Sequence, residues 1–180
     1  LEEIFFAGGC FWGVERIFWQ TTGVVATAVG YMGGRTPSPS YMQVSSGLTG
    51  HAETVRVIYD TKVVSTEELA ATFFENHDPT QVNRQGGDIG TQYRSAIWTT
   101  TDRQAEVVAQ VKAAYQRKLA AEGFGAIATV VHTPPAPTFY LAEDFHHGFN
   151  GVQCPRGVLN KTRKPRPRQS RSNRPTWRPT

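Results

Sequence analysis

"IFFAGGCFWGVERIFWQ", residues 4–20, changes its hydrophobic period at the centre. Ile4 to Gly8 is a short continuous apolar run, which predicts a buried strand. Gly8-Gly9 is a turn signal, and beyond it Phe11, Val14, Ile17 and Phe18 share one side of a helical wheel that runs to about Gln20. The stretch therefore reads as a strand that delivers Cys10 to the first turn of a helix. Trp12 and Trp19 lie about a quarter turn off the apolar stripe, which leaves part of Trp12 accessible.

Strand and helix signals go on alternating to about residue 145. "VVATAVGYM" is a second strand, and the Gly-, Pro- and Ser-rich stretch that follows, carrying Tyr41, is long enough to be a binding loop. "HAETVRVIYD" alternates, with Glu53, Val55, Val57 and Tyr59 on one face and Thr54, Arg56 and Ile58 on the other. A glutamate thus heads an apolar face. Ser65 and Glu68 form a capping-box pattern for a helix to about His77, with Leu69, Ala70, Phe73 and Phe74 inward. "DPTQVNRQGGDIGTQ" is a second long polar loop, and "YRSAIWTT" is a strand. Thr101 and Gln104 cap a helix carrying Ala105, Val108, Val111, Tyr115 and Leu119, which Gly123 ends. "AIATVVH" reads as a further strand, and "PTFYLAEDFHH" as an extended stretch turning into a short helix.

Composition bounds the function classes. The 180 residues suffice for one domain with a real core. No apolar run approaches the ~18–20 residues of a membrane helix. Leu1-Glu2-Glu3 is unlike the basic start of a secretory signal, which fits a processed chain or a fragment. The net charge of +4 is misleading, because residues 161–180 hold eight Lys and Arg and no acid, leaving 11 basic against 15 acidic residues in 1–160. The expected division is a catalytic domain over 1–155 and a basic, Pro- and Arg-rich tail over 156–180, too poor in apolar side chains to order itself. Two distant cysteines, Cys10 and Cys154, make neither a secreted disulfide framework nor a zinc motif, and fit a reduced cytoplasmic chain.

A thiol at a helix N-terminus faces unpaired N–H groups and the positive end of the dipole, both of which favour thiolate. Glu53, on a buried strand face, is desolvated, so its carboxyl should hold a proton near neutral pH. Tyr41 and Tyr93 offer phenol donors from the two loops, and Asp88 lies close to Tyr93 in sequence. Taken singly, each has a plainer reading: Cys10 as core filler, Glu53 as a structural carboxylate, the aromatics as packing, Asp88 as a turn residue. Two other classes stay open. One is a thiol hydrolase pairing Cys10 with His51 or His77, which would need an imidazole within reach of the thiol. The other is nucleic-acid binding through the tail, recognisable by salt-dependent affinity.

"GGCFWGVE", "VGYMGG", "PSYMQVSSGLTGHAETVRVIYD", "FFENHDPTQVNRQGGDIGTQYRSAIW" and "FYLAED", in that order, resemble the A-type peptide methionine sulfoxide reductases over residues 4 to about 147. The resemblance implies an α+β fold, a two-layer α/β sandwich with a ferredoxin-like mixed sheet, helices on one side and long loops. It implies reduction of methionine S-sulfoxide, free or in proteins, by a monomer recycled by thioredoxin, with no cofactor, no metal, no membrane and no nucleic acid. It casts Cys10 as nucleophile, Glu53 as acid, Tyr41 and Tyr93 as phenols that bind the sulfoxide oxygen, Phe11 and Trp12 as the wall around the methyl group, and Asp88 as a supporting polar group. The stretch "FHHGFNGVQCPRG" departs from the family pattern and contains the sole candidate resolving cysteine, Cys154.

Overall fold

The first strand, β1 (Glu2–Gly8), is buried on both faces, as its unbroken apolar run demands. In the computed structural model, which describes residues 1–146, the remaining elements follow in order: α1 (Phe11–Trp19), β2 (Val24–Met32), α2 (Tyr41–Ser45), β3 (Ala52–Tyr59), α3 (Thr66–Glu75), β4 (Arg84–Gln85) and β5 (Asp88–Ile89). A 3₁₀ turn (Thr91–Tyr93), β6 (Ser95–Trp98), α4 (Asp102–Ala121), β7 (Val130–His132), β8 (Tyr140–Leu141) and a second 3₁₀ turn (Asp144–His146) complete the described chain. Cys154 and the tail over 156–180 lie outside the described residues.

Six strands form one sheet in the order β7-β6-β1-β3-β2-β8. Its centre, β6-β1-β3-β2, is antiparallel throughout and arises from a β-α-β-β-α-β chain order, the ferredoxin-like arrangement. The crossover through α4 adds β7 parallel to β6, and β8 returns antiparallel to β2, so the whole sheet is mixed. The two short strands β4 and β5 pair only with each other.

Alternation along the strands divides the core. Ile4, Phe6, Val29, Tyr31, Val55, Val57, Tyr59 and Ile97 face α1, α3 and α4 and pack with Phe11, Phe18, Leu69, Phe73, Phe74 and Val108. Phe6 stacks on Phe18 at 4.4 Å between ring centroids. The opposite face carries Phe5, Ala7, Met32, Ala52, Ala96 and Trp98, and is covered by Ala136 and Phe139 of the segment leading to β8. The helices occupy one side, giving the two-layer α+β sandwich that the motifs imply.

Several local expectations change. On α1, Glu15 takes the buried stripe and accepts the Thr27 hydroxyl at 3.0 Å, whereas Ile17 is half-buried. The helix expected to reach His77 stops at Glu75, and the Ser65 hydroxyl accepts the Glu68 N–H as its cap. A full reciprocal capping box occurs at Ser40 and Gln43, where it starts α2 inside the first long loop. "AIATVVH" pairs only through its last three residues.

Candidate active site

Cys10 is the N-cap of α1, placed by the Gly8-Gly9 turn. Gly9 has φ +100°, a left-handed conformation, and a Cβ there would meet Gln85 at 2.8 Å, so glycine admits both the turn and the close approach of β4. Gln85 in turn accepts the Asp78 N–H and donates to the Asp78 carbonyl, at 3.0 and 2.9 Å, which ties the β4–β5 hairpin beside the thiol.

Glu53, on β3, is 2% exposed and accepts the Phe11 N–H at 3.1 Å. The carboxylate thus engages the same helix turn that begins with Cys10. Burial pushes its carboxyl up to about 7; the Phe11 N–H opposes this and the Asp88 charge adds to it. The shift runs in the direction that burial on the strand face leads one to expect.

At the thiol the helix-end donors act in the expected direction but do not decide the outcome. Burial raises Cys10 above its ordinary value, the Glu53 and Asp88 charges push the same way, and the opposing Trp12 and Gly13 N–H groups do not outweigh them. Helix-end donors favour the anion, but desolvation and two nearby carboxylates win. Neutralising Glu53 removes one of those obstacles, so proton on Glu53 and charge on Cys10 support each other.

Tyr41 and Tyr93 reach this pair from the two loops. Burial and then the Glu53 charge raise both phenols, Tyr93 to about 12, and both also interact electrostatically with Cys10 and Asp88. Asp88 itself is exposed on β5 and acts through its charge. Phe11 is fully buried, while Trp12 is half-buried beside it at 6.3 Å between centroids. The His146 ring packs against Phe11, Trp12 and Tyr41 at 5.3, 5.7 and 4.5 Å, extending the aromatic surface. His146 carries no role in the sequence reading, where only His51 and His77 stand as imidazole partners for Cys10.

Neither imidazole proposed for a hydrolase serves Cys10. His51 accepts the Gly34 N–H at 2.9 Å through Nδ1 and donates through Nε2 to the Thr36 carbonyl at 2.6 Å. His77 bonds the Phe73 carbonyl at 2.7 Å and the Ser95 hydroxyl at 2.8 Å, and burial pushes it down to about 4. Both rings are committed to the scaffold.

The profile described as peptide methionine sulfoxide reductase matches residues 2–175. The chain belongs to the peptide methionine sulfoxide reductase family. It is 52% identical over 171 residues to peptide methionine sulfoxide reductase MsrA 1 of Caulobacter vibrioides, covering 88% of this chain and 78% of that one. Methionine sulfoxide reductase A of Corynebacterium diphtheriae superposes with TM-score 0.78 at 44% identity, covering 87% and 80% of the two chains. Mxr1 from Saccharomyces cerevisiae, crystallised in complex with Trx2, superposes with TM-score 0.54 at 27% identity, covering 79% and 90%. As a member of this family the reductase is an oxidoreductase acting on methionine sulfoxide. No helix among its described residues is long and apolar enough to cross a membrane.

Proposed function

We propose that Cys10 attacks the sulfur of a methionine S-sulfoxide while Glu53 gives its proton to the oxygen. The observation that carries this reading is the buried Glu53 carboxyl, raised to about 7 and bonded to the first turn of the helix that Cys10 caps. Negative charge develops on oxygen as the S–S contact forms, and the Tyr41 and Tyr93 hydroxyls, both protonated at neutral pH, stabilise it. The aromatic side formed by Phe11 and Trp12 suits the methyl group, and Asp88 tunes the site through its charge.

Atoms balance simply. From the Cys10–sulfur adduct the hydroxyl passes to the Cys10 sulfur as the S–S and methionine S–O bonds break, so the thiolate's electron pair is left on the methionine sulfur, Cys10 becomes a sulfenic acid, and no cofactor is consumed. The Cys154 thiol then condenses with the sulfenic acid, releasing water and forming a Cys10–Cys154 disulfide. A thioredoxin dithiol reopens it, a role supported by the Trx2 partner of the yeast neighbour. A reducing compartment such as the cytoplasm suits this cycle, and the reductase is read as acting as a monomer on free or protein-bound substrate.

The test is an assay of free S- and R-sulfoxides with dithiothreitol. Turnover of the S epimer alone is expected; no turnover, or preference for R, overturns the reading. Peptide mapping after one turnover without reductant should recover the Cys10–Cys154 bridge. A free Cys154 beside oxidised Cys10 would refute its resolving role.

A further inference from the structure

The helix that presents Tyr41 cannot hold itself in place. Its five residues fall far short of the ~12–15 that an isolated helix needs, and its Ser40–Gln43 capping box is internal to it. Val44 buries α2 against the core, and the polar link from its first residue to the sheet is Glu143, three residues beyond β8's Tyr140. One carboxylate oxygen accepts the Tyr41 backbone N–H at 2.7 Å, and the other accepts the Tyr31 hydroxyl at 2.9 Å. Tyr31 is fully buried on β2 and lies directly across from Glu53 in the β2–β3 register. The carboxylate therefore spans from the strand beside the proposed acid to the first residue of the phenol's helix.

Other contacts fit a clasp. Gln92 is buried beside Tyr93 and donates to the Ser45 carbonyl at 3.4 Å, at the far end of α2. His146, one turn beyond Glu143, lays its ring on that of Tyr41. Burial works against the Glu143 anion, but the Tyr41 N–H and Tyr31 hydroxyl, among other donors, outweigh it and hold the carboxyl below its usual range. Such charge-assisted bonds are about twice as strong as neutral ones.

We infer that Glu143 is a positioning residue which, anchored on Tyr31, aims the Tyr41 phenol at the Cys10–Glu53 pair. The inference rests on the proposed role of Tyr41. It makes a specific claim: Glu143 matters to the chemistry only through Tyr41.

The experiment is single-turnover formation of the Cys10 sulfenic acid from a methionine S-sulfoxide in the full chain. Glu143→Ala should slow it on the order of ten-fold, about as much as Tyr41→Phe. Glu143→Gln should restore most of the rate, because its amide oxygen still accepts the Tyr41 N–H. The Glu143→Ala, Tyr41→Phe double variant should be no slower than Tyr41→Phe alone, the signature of two residues acting as one unit. Wild-type rate in Glu143→Ala overturns the inference, and so does a further loss in the Tyr41→Phe background. If Glu143→Ala does not fold, the comparison of Glu143→Gln with and without Tyr41→Phe decides, near-wild-type rate in the single variant being required. A wild-type rate in Tyr41→Phe itself overturns the reading of Tyr41 beneath the inference, a failure visible without touching Glu143.

Discussion

One face of β3 buries a polar group at each end, and the two are treated differently. At its C-terminal end the Tyr59 hydroxyl bonds Glu2 at 3.0 Å, Thr66 at 2.6 Å and Gln104 at 3.2 Å, while Gln104 also bonds Glu2 and the Glu3 carbonyl. That network joins β1, β3, α3 and α4. At the other end Glu53 is just as deeply buried, yet burial dominates its proton affinity and a single backbone donor opposes it. Buried groups with a full set of partners fix a fold. A buried acid with few partners keeps its proton within reach of reaction.

The sharpest separation of the two ends is at the thiol itself. Cys10→Ser should abolish methionine sulfoxide reduction and leave the fold intact, since a hydroxyl has the thiol's place but not its polarisable sulfur. Turnover with dithiothreitol measures this, and activity above a few per cent of wild type would break the assignment. Glu53→Gln comes next, with sulfenic acid formation slowed by roughly 10²–10⁴-fold, the range of general acid catalysis. Rapid-quench trapping of Cys10 reads it, and an unchanged rate would place Glu53 with Tyr59 as scaffold.

The same residue has an opposite signature in stability. A carboxyl raised to about 7 stabilises the fold while protonated, and that contribution is lost as pH rises from the unfolded value near 4.5 through 7. The effect is on the order of 3 kcal/mol. His77, lowered to about 4, does the reverse, contributing fully above 6.5 and losing its share as pH falls to 4. Over the window from 7 down to 4 the two nearly offset each other. Glu53→Gln should therefore be more stable than wild type at pH 8 and show a steeper acid loss, measured by urea unfolding at several pH values. Identical pH profiles would sink this account.

Tyr59→Phe is the smallest change, costing about 1–2 kcal/mol for one lost buried hydrogen-bonding centre. Denaturant unfolding should show it with the first reductive step untouched; a slowed step would erase the contrast between the two ends.

Much of this was legible in the residues. The change of period at Gly8-Gly9 located Cys10 because it is a local signal, and alternation along residues 51–60 put Glu53 on the apolar face for the same reason. The short helix under Tyr41 was hidden because Gly, Pro and Ser surround it and only the Ser40–Gln43 pair marks its start. Glu143 was hidden for a different reason: its partners Tyr31 and Tyr41 lie more than a hundred residues away along the chain. The rise in the thiol's proton affinity depends on burial and on the Glu53 and Asp88 charges, neither of which a helix N-terminus specifies.

Gly30 gives the architecture an unexpected weak point. It pairs with Leu141 in the two-residue seam that attaches β8 to β2, and a Cβ there would overlap the Tyr140 carbonyl and stand 2.5 Å from the Phe139 ring. A single methyl group would wedge the returning strand away from the sheet, and the Glu143 clasp leaves with it. In an unbiased screen for loss of function, Gly30 should score beside the residues that touch sulfur, although it carries no functional group at all.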